Sequence, residues 1–296
     1  MENYLCIDVG GSSIKYGILD KNGEIILSKK GRAPKSLLEM YNDFESVYKE
    51  FEKYKIHGIA LSMPGAVDSD RGIIGGSSAY DYIHGPNIKK DLEKRLQLRV
   101  ELENDANCAA LAEVWKGAAK NVNDCCFVVS GTGIGGAVVK DKKIHKGKHL
   151  HGGEFGYMIA EFDFETKQML TWSDLSTVNI LKKIAKEKNL SIEDLNGEEV
   201  FDNYRYDKTY EKYIDKYYYA MAKGIYDLQY MYDPEMIVLG GAISARKDIL
   251  NEIEMRLDVI FENITCAHIR PNIQKCQYQN NANLIGALYH YLTVKI

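Results

Sequence analysis

The sequence predicts an α/β protein built from two lobes. Its 296 residues are enough for two domains of ordinary size. Strand-like segments alternate with helical ones along the chain, which is the pattern of α/β architectures. A short apolar strand, a glycine-rich turn and a second strand follow one another near residue 10 and again near residue 131. This recurrence suggests an internal duplication, with one copy in each lobe.

Local patterns place the elements of the first lobe. The first thirty residues read as a three-stranded meander with the tight-turn dipeptide Asn22-Gly23. Apolar residues at steps of four and three indicate a helix with one buried face at 37–51. The predicted strands are Tyr4–Val9, Ser13–Asp20, Glu24–Lys29, Ile56–Leu61 and Arg99–Leu102, and the predicted helices are 37–51, Asn87–Leu96 and Ala106–Trp115.

A polar connection, Gly117–Asp124, marks the expected boundary between the lobes. We assign residues 1–118 to the first lobe and 119–283 to the second, and we expect the C-terminal helix, 284–296, to complete the first. In the second lobe the predicted strands are Cys125–Val129, Ala137–Lys140 and Met236–Leu239. The predicted helices are Asp174–Lys188, Tyr210–Tyr232 and Ile249–Phe261, with a closing helix at Leu284–Leu292.

Composition excludes several classes of function. The net charge of −4 argues against a protein that holds long nucleic acid by its phosphates, because such proteins have a basic excess. No run of about 18 apolar residues is present, and the N-terminal segment lacks the pattern of a signal peptide. We therefore expect a cytoplasmic protein without a membrane partner. The six scattered cysteines are expected to be buried thiols.

An acidic residue lies at the end of the first predicted strand, and a glycine turn follows it. Asp8 precedes Gly10, Gly11 and Ser12. Glycine allows the backbone to approach a ligand closely and to adopt positive φ. N–H groups exposed in such a turn can bind phosphate oxygens, and a nearby carboxylate can hold Mg²⁺. The alternative is an ordinary hairpin turn with a solvated aspartate.

A second glycine-rich turn contains Gly131, Thr132 and Gly133. It includes the spacing G-x-G-x-x-G, and Glu154 lies at a suitable distance downstream for a dinucleotide site. A Rossmann site needs a helix directly after the turn, to bring its N-terminus to the pyrophosphate. The segment Ala137–Lys140 that follows is strand-like instead. We therefore reject a dinucleotide site and favour a second phosphate-binding hairpin.

Asp105 lies where a predicted strand leads into a predicted helix. A carboxylate at this place could accept a proton from a substrate hydroxyl. It could also cap the N-terminus of the helix. Asn104 precedes it and Asn107 follows two residues later, and flanking asparagines are unusual for a simple cap.

Two further segments combine glycines with a candidate ligand contact. Glu154 is flanked by glycines in Gly152–Tyr157 and suits an acceptor for sugar hydroxyls. The alternative is a flexible loop with a solvated glutamate. Gly240 and Gly241 end a predicted strand, where they would allow a flat ring to lie on the backbone. The alternative there is an ordinary strand-to-loop turn.

The order of these five motifs resembles that of the ROK family of sugar kinases and sugar-responsive repressors, within the actin-like ATPase superfamily. The resemblance extends from Asp8 to about Ala287. It implies a ribonuclease H-like fold of two α/β lobes with the active site in the cleft between them. It also implies ATP and Mg²⁺ as cofactors, and it suggests a homodimer, for which the tyrosine-rich segment Tyr213–Tyr219 gives weak further support.

The resemblance also implies roles for individual residues. Asp105 would be the catalytic base. The residues implied for the phosphates and the nucleotide are Asp8, Gly10, Gly11, Ser12, Gly131, Thr132, Gly133, Gly240 and Gly241, with Asp8 near Mg²⁺. Those implied for the sugar are Asn104, Asp105, Glu154 and Tyr157.

The sequence departs from the family pattern at three places. The family usually has histidine where this chain has Tyr157, and Ser12 replaces a more usual threonine. Zinc-containing members have a cysteine cluster shortly downstream, but Tyr157–Trp172 contains neither cysteine nor histidine. We therefore expect no zinc. The nearby His145, His149 and His151 are interpreted as part of a solvated polar loop.

We expect an ATP-dependent carbohydrate kinase. Its acceptor is predicted to be a hydroxyl of glucose or of the non-reducing glucose of a β-glucoside, and we favour the 6-hydroxyl. The segments 75–86 and 153–157 should shape the sugar pocket. Tyr157 could stack on a sugar face, or it could point into the core and have no bearing on the substrate. The alternatives are an N-acetylmannosamine kinase and, outside the enzymes, a sugar-sensing ROK protein without catalysis.

Overall fold

The computed structural model describes residues 2–76 and 78–294 and divides into two compact units. The first unit contains the chain up to Lys120, the segment Lys146–Gly152 and the chain from Asn280 onward; the second contains Asn121–His145 and Gly153–Gln279. The segment 146–152 thus clusters with the first unit, although the sequence predicts it in the second lobe. Ser77, within the predicted pocket segment 75–86, and the last two residues of 284–296 lie outside the described residues.

Strands and helices alternate in both halves of the chain. The elements up to residue 120 are β1 (Asn3–Val9), β2 (Ser13–Asp20), β3 (Ile25–Arg32), α1 (Leu37–Glu50), β4 (Ile56–Met63), β5 (Ala66–Asp68), β6 (Ile73–Gly75), α2 (Ile88–Leu96), β7 (Val100–Asn104) and α3 (Asp105–Lys116). Those after it are β8 (Cys125–Ser130), β9 (Ile134–Lys140), β10 (Lys143–Ile144), β11 (Ile159–Phe162), β12 (Met169–Thr171), α4 (Thr177–Lys188), α5 (Gly197–Asp202), α6 (Lys208–Tyr232), β13 (Met236–Gly240), α7 (Ile249–Asn263), β14 (Ile273–Lys275) and α8 (Ala282–Thr293).

The first unit is organised around a sheet of strand order β3-β2-β1-β4-β7. The meander β1-β2-β3 is antiparallel, whereas β4 runs parallel to both β1 and β7. Apolar side chains of the sheet pack with those of α1, including Met40 and Phe44, in one buried cluster. Helix α8 packs on α3 and contacts β1, β4 and β7. Because these three strands are parallel, their carboxyl ends meet at one edge of the sheet.

The second unit repeats this topology. Its sheet has the order β10-β9-β8-β13-β14, with an antiparallel meander β8-β9-β10 and with β13 parallel to β8 and β14. The suggested internal duplication is therefore confirmed at the level of topology. The core of this unit contains Trp172, Tyr217 and Tyr218, all fully buried. These two tyrosines of α6 thus serve packing within the unit.

No helix in the described part of the chain is long and apolar enough to cross a membrane. Five of the cysteines are buried, and Cys266 is exposed. Burial raises the pKa of the Cys126 thiol to about 12, so this group is protonated and inert at neutral pH.

Candidate active site

Asp8 lies at the carboxyl edge of the first sheet, where two neighbours fix it. Its Oδ1 accepts hydrogen bonds from Ser62 Oγ and from Asn283 Nδ2, each at 2.9 Å. Ser62 is the partner of Asp8 on β4, and Asn283 lies in the first turn of α8. The aspartate is half-buried, and both of these donors reach the same oxygen. The arrangement holds the carboxylate in a defined orientation.

The turn after Asp8 is held by hydrogen bonds and is open to solvent. The Gly10 N–H donates to the carbonyl of Ser13 (3.0 Å), and the Tyr80 hydroxyl donates to the carbonyl of Gly10 (2.6 Å). Gly11 and Ser12 are exposed. Neither Gly10 nor Gly11 has positive φ. The expectation that glycine is needed here in order to adopt positive φ is therefore wrong. Their absent side chains instead leave the turn uncovered.

Asn104 takes one of the two roles that the sequence left open for Asp105, that of the helix cap. Asn104 is the N-cap of α3, since its Oδ1 accepts from the Asn107 N–H at 3.1 Å. Asn104 Nδ2 also donates to the carbonyl of Gly65 (3.1 Å). Asp105 is the first residue of the helix, and its Oδ1 accepts from the Ala106 N–H (2.8 Å) and from Asn104 Nδ2 (3.0 Å). The cap is therefore supplied by Asn104.

Glu103 is a buried residue of this motif for which the sequence predicted no role. Its side chain is 1 % exposed. Its Oε1 accepts from the Asn104 N–H (2.8 Å) and from Asn107 Nδ2 (3.0 Å). Its Oε2 lies 2.7 Å from Lys146 Nζ. The sequence signal was an acidic residue alternating with apolar residues at the end of β7, directly before Asn104.

The carboxylates at this edge share one neighbourhood. The Cys108 thiol lies in α3, and its pKa is raised well above the ordinary value. Burial is the main cause, and the negative charges of Glu103, Asp8 and Asp105 add to it. The first unit therefore brings Asp8 and Asp105 together around one buried position, although the motifs that contain them are far apart in the sequence.

The glycine hairpin of the second unit lies against the N-terminus of α4. The carbonyl of Gly131 accepts from the Val178 N–H (3.1 Å), and that of Thr132 accepts from Ser176 Oγ (2.8 Å). In a trans peptide the C=O and the following N–H point in opposite directions. The N–H groups of Thr132 and Gly133 therefore point away from α4. This orientation presents adjacent donors of the kind that bind phosphate oxygens.

The segment that leaves this hairpin is the strand β9, so the reason for rejecting a Rossmann site is confirmed. At the end of the neighbouring strand β13, Gly241 has φ of 85° and lies so close to the Ser130 carbonyl that a Cβ would collide with it. Both the backbone conformation and the packing therefore require glycine at this position. The same contact places the end of β13 beside the glycine hairpin of the second unit.

Glu154 and Tyr157 lie in a short turn that packs on β9. Gly153 has φ of 98°, and a Cβ there would lie 2.7 Å from the Ala137 Cα. Glycine is therefore required for the turn to approach the strand. Glu154 is exposed, and Tyr157 is 71 % exposed. The alternative that Tyr157 points into the core is wrong.

The described residues include no group of three or more His, Cys, Asp or Glu side chains arranged to hold a metal ion. His145, His149 and His151 are exposed, and His151 Nδ1 lies 2.6 Å from the carbonyl of His149. A single carboxylate with water and phosphate oxygens suits Mg²⁺ better than such a cluster would, because Mg²⁺ retains much of its hydration.

The ROK family description matches residues 4–293. The chain belongs to the ROK family. A β-glucoside kinase of Listeria monocytogenes is 32 % identical over 293 residues, which cover 96 % of each chain. A ROK family protein of Streptococcus pneumoniae, solved in complex with sucrose, is 33 % identical over 98 % of each chain, with a TM-score of 0.88. A solved structure of an L. monocytogenes protein, described as a candidate N-acetylmannosamine kinase, is 31 % identical over 98 % of each chain, with a TM-score of 0.87.

These findings confirm the predicted class and the fold. The fold is that of the actin-like ATPases, and the enzyme is an ATP-dependent carbohydrate kinase of the ROK family. An enzyme is accordingly favoured over a non-catalytic sugar sensor. The choice of sugar, the roles of individual residues and the cleft as the place of the active site stay predictions.

Proposed function

We propose that this ROK kinase transfers the γ-phosphoryl group of ATP to the 6-hydroxyl of glucose, either free or at the non-reducing end of a β-glucoside. The relative at 32 % identity is a β-glucoside kinase. The S. pneumoniae protein holds sucrose, a disaccharide that contains a glucosyl unit. The observation that carries the proposal is the placement of Asp105 beside Asn104, which caps α3.

Asp105 is the proposed general base. Because Asn104 caps α3, Asp105 is not needed for that role, and we propose that its carboxylate orients a substrate hydroxyl. Its Oδ1 is held by Ala106 N–H and Asn104 Nδ2, which fixes the direction of the group. In phosphoryl transfer such a residue orients the attacking hydroxyl and accepts its proton.

The two glycine turns are the proposed phosphate-binding elements. In the first unit, the N–H of Gly11 points away from Tyr80, because Tyr80 binds the carbonyl of the same peptide group. In the second unit, the N–H groups of Thr132 and Gly133 point away from α4. Backbone donors in this arrangement neutralise phosphate charge without an added side chain. The nucleotide would extend from the second turn toward Gly240 and Gly241.

Magnesium is the proposed metal, and the first unit offers a fitting ligand. Asp8 is a half-buried carboxylate whose orientation Ser62 and Asn283 fix through one oxygen. Such an oxygen donor can hold hydrated Mg²⁺ through water. The ion, when bound, neutralises charge on the ATP phosphates. Turnover should stop with EDTA and return with Mg²⁺. The proposal includes no zinc.

The sugar contacts are proposed to come from Asn104, Asp105, Glu154 and Tyr157. Glu154 is an exposed acceptor for hydroxyl groups, and the exposed ring of Tyr157 can stack on a sugar face. Tyrosine at this place offers one hydroxyl but no imidazole. Since strong rejection of analogues depends on matched polar contacts, a stacking contact should tolerate substituents at the anomeric carbon. This favours acceptance of β-glucosides.

N-acetylmannosamine is the second candidate acceptor, because one relative at 31 % identity is described as a candidate kinase for that sugar. A coupled assay of ADP formation should compare cellobiose, glucose and N-acetylmannosamine by kcat/KM. We expect cellobiose or glucose to give the highest value. A tenfold or greater preference for N-acetylmannosamine would replace the glucose assignment with the alternative.

A further inference from the structure

We propose that the ion pair between the buried Glu103 and the partly exposed Lys146 positions Asn104 and Asp105 for phosphoryl transfer. The proposal rests on the function proposed above, in which Asp105 is the base. Neither residue is proposed to touch the substrate. Both act through the backbone and the side chains that surround Asp105.

One oxygen of Glu103 faces the residues on either side of Asp105. Oε1 accepts from the Asn104 N–H at 2.8 Å and from Asn107 Nδ2 at 3.0 Å. The same carboxylate thus holds the residue directly before Asp105 and the residue two positions after it. Asn104 in turn caps α3 and donates to Asp105 Oδ1. A shift of Glu103 would therefore move the whole start of the helix.

The other oxygen of Glu103 is bound by residues from distant parts of the chain. Oε2 lies 2.7 Å from Lys146 Nζ and accepts from Ser69 Oγ at 3.2 Å. Lys146 also donates to Ser69 Oγ at 2.6 Å. His290 Nδ1 lies at 3.6 Å, and burial lowers the pKa of that imidazole despite the nearby Glu103. His290 is therefore uncharged at neutral pH, and Lys146 supplies the positive charge in contact with Glu103.

Lys146 also fixes the segment that precedes Glu154. The Gly152 N–H donates to the carbonyl of Lys146 at 2.8 Å, which closes the segment 146–152 into a loop. This loop clusters with the first unit, and Gly153 and Glu154 follow it directly in the chain. The ion pair thereby anchors both the motif that contains the base and the segment that leads into a proposed sugar contact.

The chemistry of a buried carboxylate predicts an unusual pattern of mutant effects. Lys146→Met leaves Glu103 charged, buried and unpaired, which is strongly unfavourable. Glu103→Gln alone turns an amide NH₂ toward Lys146, so that two donors face each other. In the double variant the glutamine Oε1 still accepts from the Asn104 N–H, and its NH₂ can donate to Ser69. Each single variant should therefore be less active than the double variant.

The test is steady-state kinetics of the full chain with glucose or cellobiose. We expect Lys146→Met and Glu103→Gln to lower kcat on the order of tenfold or more, with the KM for ATP within about twofold of the wild-type value. We expect the double variant to recover to within about threefold of wild-type kcat. Recovery of this kind is the non-additivity that a direct pair produces.

Lys89→Met is the control at a second ion pair of the same strand, in which Arg99 remains bound to the carboxylate. Lys89 Nζ lies 2.7 Å from Glu101, a buried carboxylate on the same strand β7 but two residues farther from Asp105. This variant should lower the melting temperature and leave kcat unchanged.

Three outcomes would overturn the proposal. One is a Lys146→Met enzyme with wild-type kcat and a melting temperature lowered like that of Lys89→Met, since this indicates a purely structural pair. Another is a double variant whose kcat is no higher than that of Glu103→Gln. This comparison also tests the proposal if Lys146→Met fails to fold. A wild-type enzyme inactive on every sugar would instead contradict the proposed function and, with it, this proposal.

Discussion

Asp105 is the residue on which the proposed chemistry depends. Asp105→Asn keeps an Oδ1 that can accept from the Ala106 N–H, but it removes the basicity of the group. We expect kcat to fall on the order of 10²–10⁴-fold, with little change in melting temperature. Kinetics and thermal denaturation of the purified variant measure both quantities.

The matched control for this substitution is Asp194→Asn, at an exposed position in the second unit. It makes the same chemical change without touching the proposed site, so its turnover should equal that of the wild-type enzyme. Near-normal turnover of Asp105→Asn would show that Asp105 is not the base.

At the residue scale, the sequence indicated the groups at strand ends but not the contacts that hold them. Asp8 and Asp105 could be selected because each is an acid at the end of a predicted strand. The role of Glu103 could not, because its partners Lys146 and His290 come from other parts of the chain. Local spacing likewise did not reveal that Asn104 supplies the helix cap.

At the scale of elements, the sequence predicted those segments in which periodicity is long and clear. Helix α6 was expected at Tyr210–Tyr232 and is found at Lys208–Tyr232. The short strands β5, β6, β10, β11, β12 and β14 were not predicted. Their few residues do not establish an alternation, and a strand such as β14 is fixed by pairing with the distant β13. Such pairing is decided by tertiary contacts.

Substitutions at two glycines of the second unit test whether its glycine-rich turn binds phosphate. A Cβ on Gly131 would have no heavy atom within 4 Å, and its φ is not positive, so the fold does not require glycine there. Gly131→Ala should leave the melting temperature unchanged. If the turn binds phosphate, the added methyl group should interfere with ATP and raise its KM several-fold or more. Thermal denaturation and ATP titration measure these effects.

Gly136→Ala is the paired control on β9. A Cβ there would collide with the carbonyl of Phe127 and with the ring of Phe155. We expect a loss of about 1–3 kcal/mol in the free energy of unfolding, as is typical for overpacking. Gly131→Ala should thus change the KM for ATP without changing stability, whereas Gly136→Ala should lower stability. An unchanged KM for ATP in Gly131→Ala would count against a phosphate contact at that turn.

At the scale of the whole molecule, the repeated sheet explains why so much of the fold could be predicted. Both sheets contain an antiparallel meander followed by two parallel strands, and each meander has a glycine-rich turn after its first strand. A local pattern that occurs twice is easier to recognise than one that occurs once. The assignment of 146–152 to the first unit had no such signal, since it rests on tertiary contacts between segments far apart in the sequence.

Association into a homodimer stays a prediction, and the structure supports it by a different surface from the one that the sequence suggested. Tyr217 and Tyr218 are buried in the core, so the tyrosine-rich part of α6 gives little support. Several large apolar side chains are exposed on and beside the β11–β12 hairpin instead, including Ile159, Phe162 and the 78 % exposed Phe164. Clustered apolar side chains of this kind are typical of surfaces that associate.

Light scattering coupled to size exclusion measures the mass directly. At micromolar concentration we expect twice the chain mass of 33.6 kDa, because covering exposed apolar surface stabilises the assembly. Dilution should shift the mass toward that of one chain if the association is reversible, since a dimer dissociates by mass action. A constant mass of 33.6 kDa across the concentration range would refute the dimer and leave the exposed hairpin without this explanation.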